Sequence, residues 1–158
     1  LIESAYLIDD MDVEIIADGC HLPQSLLQYV CKFKNKNNIA LITDAMRASC
    51  QNVTSSYLGS LEQGLPCIIE DGVAKLPDRS AFAGSIATTD LLVRTMINIA
   101  NIPLLDAVNM MTINPLKMLN LKVKKGRIQK GYDADLVLFD KDINVKKVFV
   151  KGKFVKGN

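Results

Sequence analysis

The feature that most constrains the fold is a short, uninterrupted apolar run, Ile39-Ala40-Leu41-Ile42, which changes abruptly to Thr43-Asp44 at its carboxyl end. A run of this length without polar alternation is typical of a strand buried on both faces, as in a parallel sheet. In barrels and doubly wound sheets, ligands and catalytic groups lie at the carboxyl ends of the strands. Asp44 is therefore a candidate catalytic residue, although an aspartate in this position is more commonly a turn residue or a helix N-cap.

A second buried strand is predicted at Val13–Ala17, and it stops in Asp18-Gly19-Cys20-His21. Pro23 suits the first turn of the helix that follows. Apolar residues recur in that helix at helical spacing, namely Leu26, Leu27, Val30 and Phe33. Strand, helix and strand in about thirty residues form a βαβ unit, whose strands run parallel. We therefore expect the 18–21 segment and Asp44 to emerge at the same edge of the sheet.

His21 is the only histidine of the chain. A lone histidine is usually structural, either capping a helix or filling a pocket. Here it follows a predicted strand and comes after Gly19, which permits the close approach of a ligand. An imidazole can donate a hydrogen bond to an anionic or hydroxylated ligand, so we interpret His21 as a binding residue.

Short strands punctuated by glycine and proline are predicted around residues 53–76, with Asp71-Gly72 as a hairpin turn. Phe82-Ala83-Gly84-Ser85 then precedes a helical stretch that starts near Thr88, and small residues before a helix are typical of a binding loop. A glycine–serine turn that merely caps the helix would have the same sequence.

Two short helices are predicted at residues 103–111 and 114–119, and the composition changes beyond Lys122. From Lys125-Gly126-Arg127-Ile128 onward we expect short antiparallel strands whose edges are protected by lysines. The predicted division is therefore 1–121, with a β insertion around 53–76, and 122–158.

Composition excludes several classes of protein. The net charge of +2 is too small to indicate nucleic-acid binding. No apolar run reaches the roughly 18 residues of a membrane-spanning helix, and no export signal is recognisable. The four scattered cysteines indicate reduced thiols and a cytoplasmic location. Because the chain opens without methionine inside a predicted helix, we expect it to be part of a longer polypeptide.

Four motifs occur in a characteristic order: Ala17-Asp18-Gly19-Cys20-His21, Thr43-Asp44-Ala45-Met46-Arg47-Ala48, Phe82-Ala83-Gly84-Ser85, and the ending from Lys125-Gly126-Arg127-Ile128 to Gly131-Tyr132-Asp133-Ala134-Asp135-Leu136-Val137-Leu138-Phe139. In this order the chain resembles the C-terminal part of the N-acetylglucosamine-6-phosphate deacetylases, a family of the amidohydrolase superfamily. The ending is shared widely within the superfamily, whereas the combination of all four motifs is specific.

The resemblance implies an α/β fold. Residues 1–121 would form the C-terminal portion of a (β/α)8 TIM barrel of the metal-dependent amidohydrolase type. Residues 122–158 would contribute strands of a small β-sandwich. It also implies a homodimer that acts on a small sugar phosphate.

The resemblance further implies a role for each motif. Asp44 matches the aspartate that acts as general base on a metal-bound water and then passes the proton to the leaving amine. The 18–21 segment matches the residues that contact the sugar phosphate, and the 82–84 segment matches those that line the sugar and acetamide pocket. The substrate-binding residues so implied are Asp18, Gly19, Cys20, His21, Phe82, Ala83 and Gly84.

One departure from the family concerns the metal. Its ligands, a glutamate and two histidines, lie on earlier barrel strands, and a chain with one histidine cannot supply them. The divalent metal, zinc or iron, therefore belongs to the full-length enzyme. A complete barrel also needs roughly 250 residues.

We expect a C-terminal fragment of a hydrolase that converts N-acetylglucosamine 6-phosphate to glucosamine 6-phosphate and acetate, inactive when isolated. The alternative is a non-catalytic sugar-phosphate-binding or oligomerisation module derived from such a barrel. Arg47 has no expected role beyond an ion pair or a surface position.

Overall fold

The computed structural model describes residues 2–157 and contains five α-helices, nine strands and one 3-10 turn. The helices are α1 (Ile2–Leu7), α2 (Gln24–Phe33), α3 (Thr89–Asn98), α4 (Leu104–Met111) and α5 (Ile113–Met118). The strands are β1 (Val13–Ile15), β2 (Ile39–Leu41), β3 (Ser55–Leu58), β4 (Leu65–Glu70), β5 (Val73–Lys75), β6 (Phe82–Ser85), β7 (Leu136–Phe139), β8 (Val145–Val150) and β9 (Lys153–Gly157). The mixture of helices and strands is that of an α/β protein.

The predicted βαβ unit is confirmed. Strands β1 and β2 pair in parallel, with Val13 opposite Ile39 and Ile15 opposite Leu41. All three residues of β2 are buried, as expected for a strand covered on both faces. Helix α2 connects the two strands and begins directly after Pro23, so the carboxyl ends of β1 and β2 face the same edge.

The predicted β excursion is an antiparallel sheet in the order β3-β4-β5-β6. Glu70 pairs with Val73 across the turn, in which Asp71 and Gly72 have φ angles of 52° and 78°. Two residues with positive φ are what a two-residue type I′ hairpin requires. The hairpin at Asp71-Gly72 is therefore confirmed, and the sheet extends beyond residue 76 to Ser85.

Strand β6 connects this sheet to the βαβ unit. Ser85 pairs with Val73 of β5 on one side and forms a parallel bridge with Ala45 on the other. The Ser85 amide donates to the Asp44 carbonyl oxygen (3.2 Å), and the Met46 amide donates to the Ser85 carbonyl oxygen (2.8 Å). The prediction that residues 82–85 form a loop was wrong, because pairing holds this segment extended as a strand, whereas its binding role stays a prediction.

The main core lies between strands β1 and β2 and helices α2, α3 and α4. Its most completely buried large side chains include Leu27, Ile39, Leu92, Met96 and Met110. Ile143, from the turn between β7 and β8, packs into the same core. The Arg94 guanidinium donates to the carbonyl oxygens of Asp142 and Ile143, both at 3.0 Å, and so holds that turn against α3.

The C-terminal strands form a three-stranded antiparallel sheet in the order β7-β8-β9. The additional strand predicted at Lys125–Ile128 was wrong. Gly126 has a φ of 76°, which an extended strand does not adopt. The Lys125 ammonium instead pairs with the carboxylates of Asp133 (2.9 Å) and Asp135, which ties the segment to the turn before β7.

A buried lysine closes the end of α1. Lys34 is only 5% exposed, and its ammonium donates to the carbonyl oxygens of Ala5 (2.8 Å), Ile8 (2.7 Å) and Asp9 (3.1 Å). The last carbonyls of a helix have no partner within the helix, and a cation is favourable at that end. All three donors of the ammonium are thereby used.

A buried amide anchors the start of β2. Asn114 of α5 is only 3% exposed, and its Nδ2 donates to the carbonyl oxygens of Lys36 and Ile39, both at 2.7 Å. The amide joins residues that are 78 and 75 positions apart in the chain. It therefore fixes the position of the start of β2 relative to α5.

No helix within residues 2–157 has both the length and the apolar character that crossing a membrane requires.

Candidate functional site

The segment that follows β1 is organised by the Asp18 carboxylate. Its Oδ1 accepts hydrogen bonds from the backbone amides of Cys20 and His21, both at 2.9 Å, and its Oδ2 lies 2.7 Å from His21 Nδ1. Gly19, with a φ of 83°, permits the tight turn between them. The Asp18 side chain is fully buried. The buried carboxylate therefore holds the backbone and the His21 ring of this segment in place.

Asp18 is held ionised by these contacts. Burial alone would raise the pKa of its carboxyl, but the hydrogen bonds from the His21 and Cys20 amides and from the His21 imidazole outweigh burial and lower the pKa below its ordinary value. An ionised carboxylate is an acceptor only, so the donors surrounding it suit its charge.

The His21 ring lies between Asp18 and β6. Its centroid is 4.9 Å from that of the Phe82 ring, at an interplanar angle of 54°. Its Nδ1 is occupied by Asp18, and within residues 2–157 its Nε2 has no partner. No buried side-chain nitrogen or oxygen of the described residues lacks a hydrogen-bond partner, so Nε2 is accessible to solvent. A ligand can therefore reach His21 through Nε2.

Cys20 lies beside the β4–β5 hairpin, with its Sγ 3.6 Å from the Asp71 carbonyl oxygen. Burial and the negative charges of Asp18 and Asp71 raise the pKa of the Cys20 thiol, against the opposing effect of Lys75. The thiolate is the reactive form of cysteine. A raised pKa therefore makes Cys20 unsuited to act as a nucleophile at neutral pH.

Asp44 follows β2 in a left-handed backbone conformation, with a φ of 46°. Aspartate is among the few residues that tolerate this conformation. Its backbone carbonyl is fixed by Ser85, whereas its side chain is exposed and its carboxylate makes no hydrogen bond or ion pair within the described chain. The carboxylate is thus available to a ligand on a fixed backbone.

Gly84 lies against the Asp44 segment. Its φ is 106°, and a β-carbon there would lie 3.4 Å from Met46 Cβ and 3.8 Å from the Asp44 carbonyl oxygen. A side chain at this position would be strained by the backbone conformation. Glycine is therefore favoured at this position by its backbone conformation, since the distances from a β-carbon would be ordinary van der Waals contacts.

The structure brings the predicted site segments together on β6. His21 contacts Phe82 at the start of this strand, and Asp44 is bonded to Ser85 at its end. Asp18 has both carboxylate oxygens engaged within its own turn, so it is not presented as a direct ligand contact. Arg47 donates to the Gly59 carbonyl oxygen, which places it on the β excursion and gives it no ion pair among the described residues.

Sequence reasoning missed Ser85 as the residue that connects the Asp44 segment to β6. It also missed the position of Asp71 and Lys75 beside Cys20. The serine directly follows the predicted 82–84 segment, but a connection across 41 residues leaves no local signal in the sequence.

The described residues do not fit a metal ion by themselves. No group of three or more histidine, cysteine, aspartate or glutamate side chains within residues 2–157 is arranged to hold one. Both oxygens of Asp18 are engaged within its own turn, and the one free nitrogen of His21 supplies too few ligands for a protein zinc site.

Comparisons with known proteins agree with one another. The sequence profile described as the Amidohydrolase family matches residues 2–155. The N-acetylglucosamine-6-phosphate deacetylase of Lysinibacillus sphaericus is 35% identical over 147 residues, which cover 93% of this chain and 36% of that protein. The N-acetylgalactosamine-6-phosphate deacetylase of Escherichia coli O157:H7 is 28% identical over 141 residues, which cover 89% of this chain and 36% of that protein.

The fold has the same relatives. The crystal structure of N-acetylglucosamine-6-phosphate deacetylase from Thermotoga maritima superposes with a TM-score of 0.86 at 31% sequence identity, covering 98% of this chain and 41% of that one. The chain thus spans about a third of the length of the N-acetylglucosamine-6-phosphate deacetylases of Lysinibacillus sphaericus and Caenorhabditis elegans.

Proposed function

The chain belongs to the amidohydrolase family, and from that premise we propose that it forms the C-terminal part of an enzyme that deacetylates N-acetylglucosamine 6-phosphate. The products would be glucosamine 6-phosphate and acetate. The names of its relatives support an amino-sugar 6-phosphate as substrate.

The observation that carries the proposal is the convergence of the His21 and Asp44 segments on β6. The His21 ring packs on Phe82, and the Asp44 backbone is bonded to Ser85. An accessible imidazole nitrogen and an exposed carboxylate therefore lie on segments that contact one strand. Such a group of donors and acceptors on rigid elements is what a small polar substrate requires.

We infer that Asp44 is the proton-transfer residue. Its carboxylate would accept a proton from the water that attacks the acetamide carbonyl and would then deliver that proton to the departing amine nitrogen. Its position supports this role, because the carboxylate makes no internal hydrogen bond that would compete with substrate and its backbone is fixed.

The remaining site residues would bind substrate. His21, with the backbone of Gly19 and Cys20, would contact the phosphate, and Phe82, Ala83 and Gly84 would line the sugar and acetamide pocket. The position of Asp18 supports an indirect role, since its carboxylate is occupied by His21 and Cys20.

The larger architecture belongs to the same proposal. Residues 1–121 would be the last part of a (β/α)8 barrel with the β excursion inserted, and residues 122–158 would be part of a β-sandwich. The zinc or iron ion would be held by ligands outside this chain, because the described residues form no cluster that could hold it. We further propose a homodimer in the cytoplasm.

The test is acetate release by the complete enzyme that contains this chain, with divalent metal supplied. N-acetylglucosamine 6-phosphate, N-acetylgalactosamine 6-phosphate and unphosphorylated N-acetylglucosamine are compared. We expect the first to have the highest kcat/KM and the unphosphorylated sugar to have the lowest. Equal rates with and without the phosphate would contradict the assignment of the substrate.

A second candidate function is a non-catalytic module that binds a sugar phosphate. The observation that favours it is that residues 2–157 contain no group of side chains able to hold a metal. Binding of N-acetylglucosamine 6-phosphate to the complete protein without acetate release, with divalent metal supplied, would support this alternative over the first.

A further inference from the structure

One stretch of the chain, residues 107–132, carries basic side chains and no aspartate or glutamate. The net charge of the whole chain is only +2, so this local excess of positive charge is balanced elsewhere. The stretch includes the start of the fourth motif, to which the proposed function assigns no role. Its basic residues are Lys117, Lys122, Lys124, Lys125, Arg127 and Lys130.

Residues 124–133, here called the basic loop, fold against α5. The Asp133 amide donates to the Lys124 carbonyl oxygen (2.8 Å) and closes the loop. A β-carbon on Gly126 would lie 3.3 Å from Leu116 Cδ1, so the backbone of the loop packs directly on α5. The basic loop is therefore held beside the end of this helix.

An open cavity of about 240 Å³ lies between α5 and the basic loop. A single water needs about 10–15 Å³ of such volume, so the cavity has room for a small organic molecule. Its apolar lining residues are Ile113, Leu116, Leu121 and Val123.

The charged lining of the cavity consists of cations, and no carboxylate of the described chain contributes to it. Of the three cations, Lys125 is neutralised by Asp133 (2.9 Å) and Asp135. The side chains of Lys117 and Arg127 make no ion pair or hydrogen bond within residues 2–157. The cavity therefore has two positive charges without a partner.

Neutral donors are available beside these charges. Asn120 and Tyr132 line the same cavity, and neither side chain is engaged by another residue of the described chain. An amide and a phenol can each donate a hydrogen bond to an anion. The Asn120 backbone amide donates to the Lys117 carbonyl oxygen (3.0 Å), which fixes the backbone at this end of α5.

We propose that this cavity binds a phosphate monoester with an apolar organic group. A phosphate monoester carries nearly two negative charges at neutral pH, which match the two unpaired cations. Arg127 donates two parallel N–H bonds to phosphate oxygens, and Lys117 supplies the second charge. The apolar walls cover the organic group.

The proposed site shares no lining residue with the segments around His21 and Asp44. It does not depend on the proposed function, because its argument uses only the charges and walls of this cavity.

The test is titration calorimetry on the complete protein that contains this chain. Glucosamine 6-phosphate is present in excess, in order to occupy the candidate site around His21. Phenyl phosphate, inorganic phosphate and phenol are then compared. We expect phenyl phosphate to bind most tightly, because it alone uses both the cations and the apolar walls.

The informative variant is Arg127→Ala, which should weaken the binding of phenyl phosphate about tenfold or more, as the loss of a hydrogen bond between charged groups would. Lys130→Ala is the matched control, since it removes an exposed cation of the same loop that does not line the cavity. We expect that control to change the affinity less than about twofold, because salt screens the more distant charge.

Three results would overturn the proposal: no binding of phenyl phosphate to the wild type, an unchanged affinity in Arg127→Ala, or an equal loss of affinity in Lys130→Ala. The last result would indicate diffuse attraction to the basic surface. The first needs only the wild-type protein, so a variant that fails to fold leaves the proposal testable.

Acetate release by the same proteins separates this site from the proposed function. We expect Arg127→Ala to release acetate from N-acetylglucosamine 6-phosphate at the wild-type rate while it loses affinity for phenyl phosphate. If the wild type releases no acetate but Arg127→Ala still weakens phenyl phosphate binding, the proposed function fails and the cavity site stands.

Discussion

At the scale of single residues, two aspartates at neighbouring strand ends have opposite surroundings. Asp18 is buried and gives both its oxygens to its own turn, whereas Asp44 is exposed and keeps its carboxylate free of the described residues. Carboxylates whose environments differ in this way take different roles in a site. Asp18 is suited to hold a neighbour in place, and Asp44 is suited to exchange a proton with a ligand.

Replacing Asp44 by asparagine should abolish proton transfer and leave the fold intact. In the complete enzyme we expect kcat to fall by about 10²–10⁴-fold, which is the usual contribution of a general base, while KM changes little. The measurement is steady-state acetate release together with an unfolding curve.

The control for that variant is Asp142→Asn, since Asp142 is also exposed but lies in the turn between β7 and β8. It should retain the wild-type rate. An Asp44→Asn enzyme that retains the wild-type rate would refute the proposed role of Asp44.

Asp18 should make the free energy of unfolding depend on pH. Its pKa is lower in the folded chain than in the unfolded one, so its ionisation stabilises the fold fully above the unfolded value of about 3.9. That contribution is lost as the pH falls through the lower folded value. We therefore expect the gap in unfolding free energy between the wild type and Asp18→Asn to narrow below about pH 4, as measured by urea unfolding at a series of pH values. A gap that stays constant in acid would contradict this expectation.

At the scale of elements, the parts that could be predicted are those with a local signal. The buried runs of β1 and β2, the apolar stripe of α2 and the Asp71-Gly72 turn each carry their periodicity or turn chemistry within a few residues. Strand β6 does not, because Ala83-Gly84-Ser85 has low strand propensity and is extended only through pairing with β5 and with Ala45.

The features of the candidate site also differ in whether the sequence carries a local signal for them. The positions of the Asp18–His21 segment and of Asp44 after parallel strands were predictable from the βαβ pattern. The engagement of the Asp18 carboxylate and the His21–Phe82 contact were not, because they depend on side-chain geometry and on residues 61 positions apart. The catalytic and binding roles themselves remain predictions.

We expect Asn114 to contribute to the stability of the fold by anchoring β2. Asn114→Ala removes both hydrogen bonds to the carbonyls of Lys36 and Ile39 and leaves the buried Ile39 carbonyl without this partner. We expect the free energy of unfolding to fall by about 2 kcal/mol, as for other buried groups left unsatisfied. Asn98→Ala, at an exposed position near the end of α3, is the control and should change stability by less than about 0.5 kcal/mol.

At the scale of the whole molecule, the matches to the N-acetylglucosamine-6-phosphate deacetylases of Lysinibacillus sphaericus and Caenorhabditis elegans cover 93% and 89% of this chain but only 36% and 32% of those proteins. Its described residues form no metal-binding cluster, and β1 is paired only with β2. Many large apolar side chains are exposed, among them Leu61, Leu105, Ile128 and Phe154. These features are expected of a unit that functions with further polypeptide around it.

We therefore expect this chain alone to release no acetate from N-acetylglucosamine 6-phosphate, even with zinc or ferrous iron added. The assay should be run beside the complete enzyme under identical conditions. Turnover by the isolated chain at a rate that rises with added metal would contradict the proposal that the ligands lie outside it.

The enclosure of Lys34 makes its chemical labelling a measure of how often α1 separates from the rest of the chain. Amine-directed reagents attack free, neutral amines, whereas this ammonium is surrounded by three carbonyl oxygens and is the one buried lysine of residues 2–157. Its covalent labelling should lag behind that of every other described lysine and should proceed only when α1 lifts away. Under conditions in which the rest of the chain stays folded, the labelling rate of Lys34, followed by mass spectrometry, would report the rate at which α1 detaches.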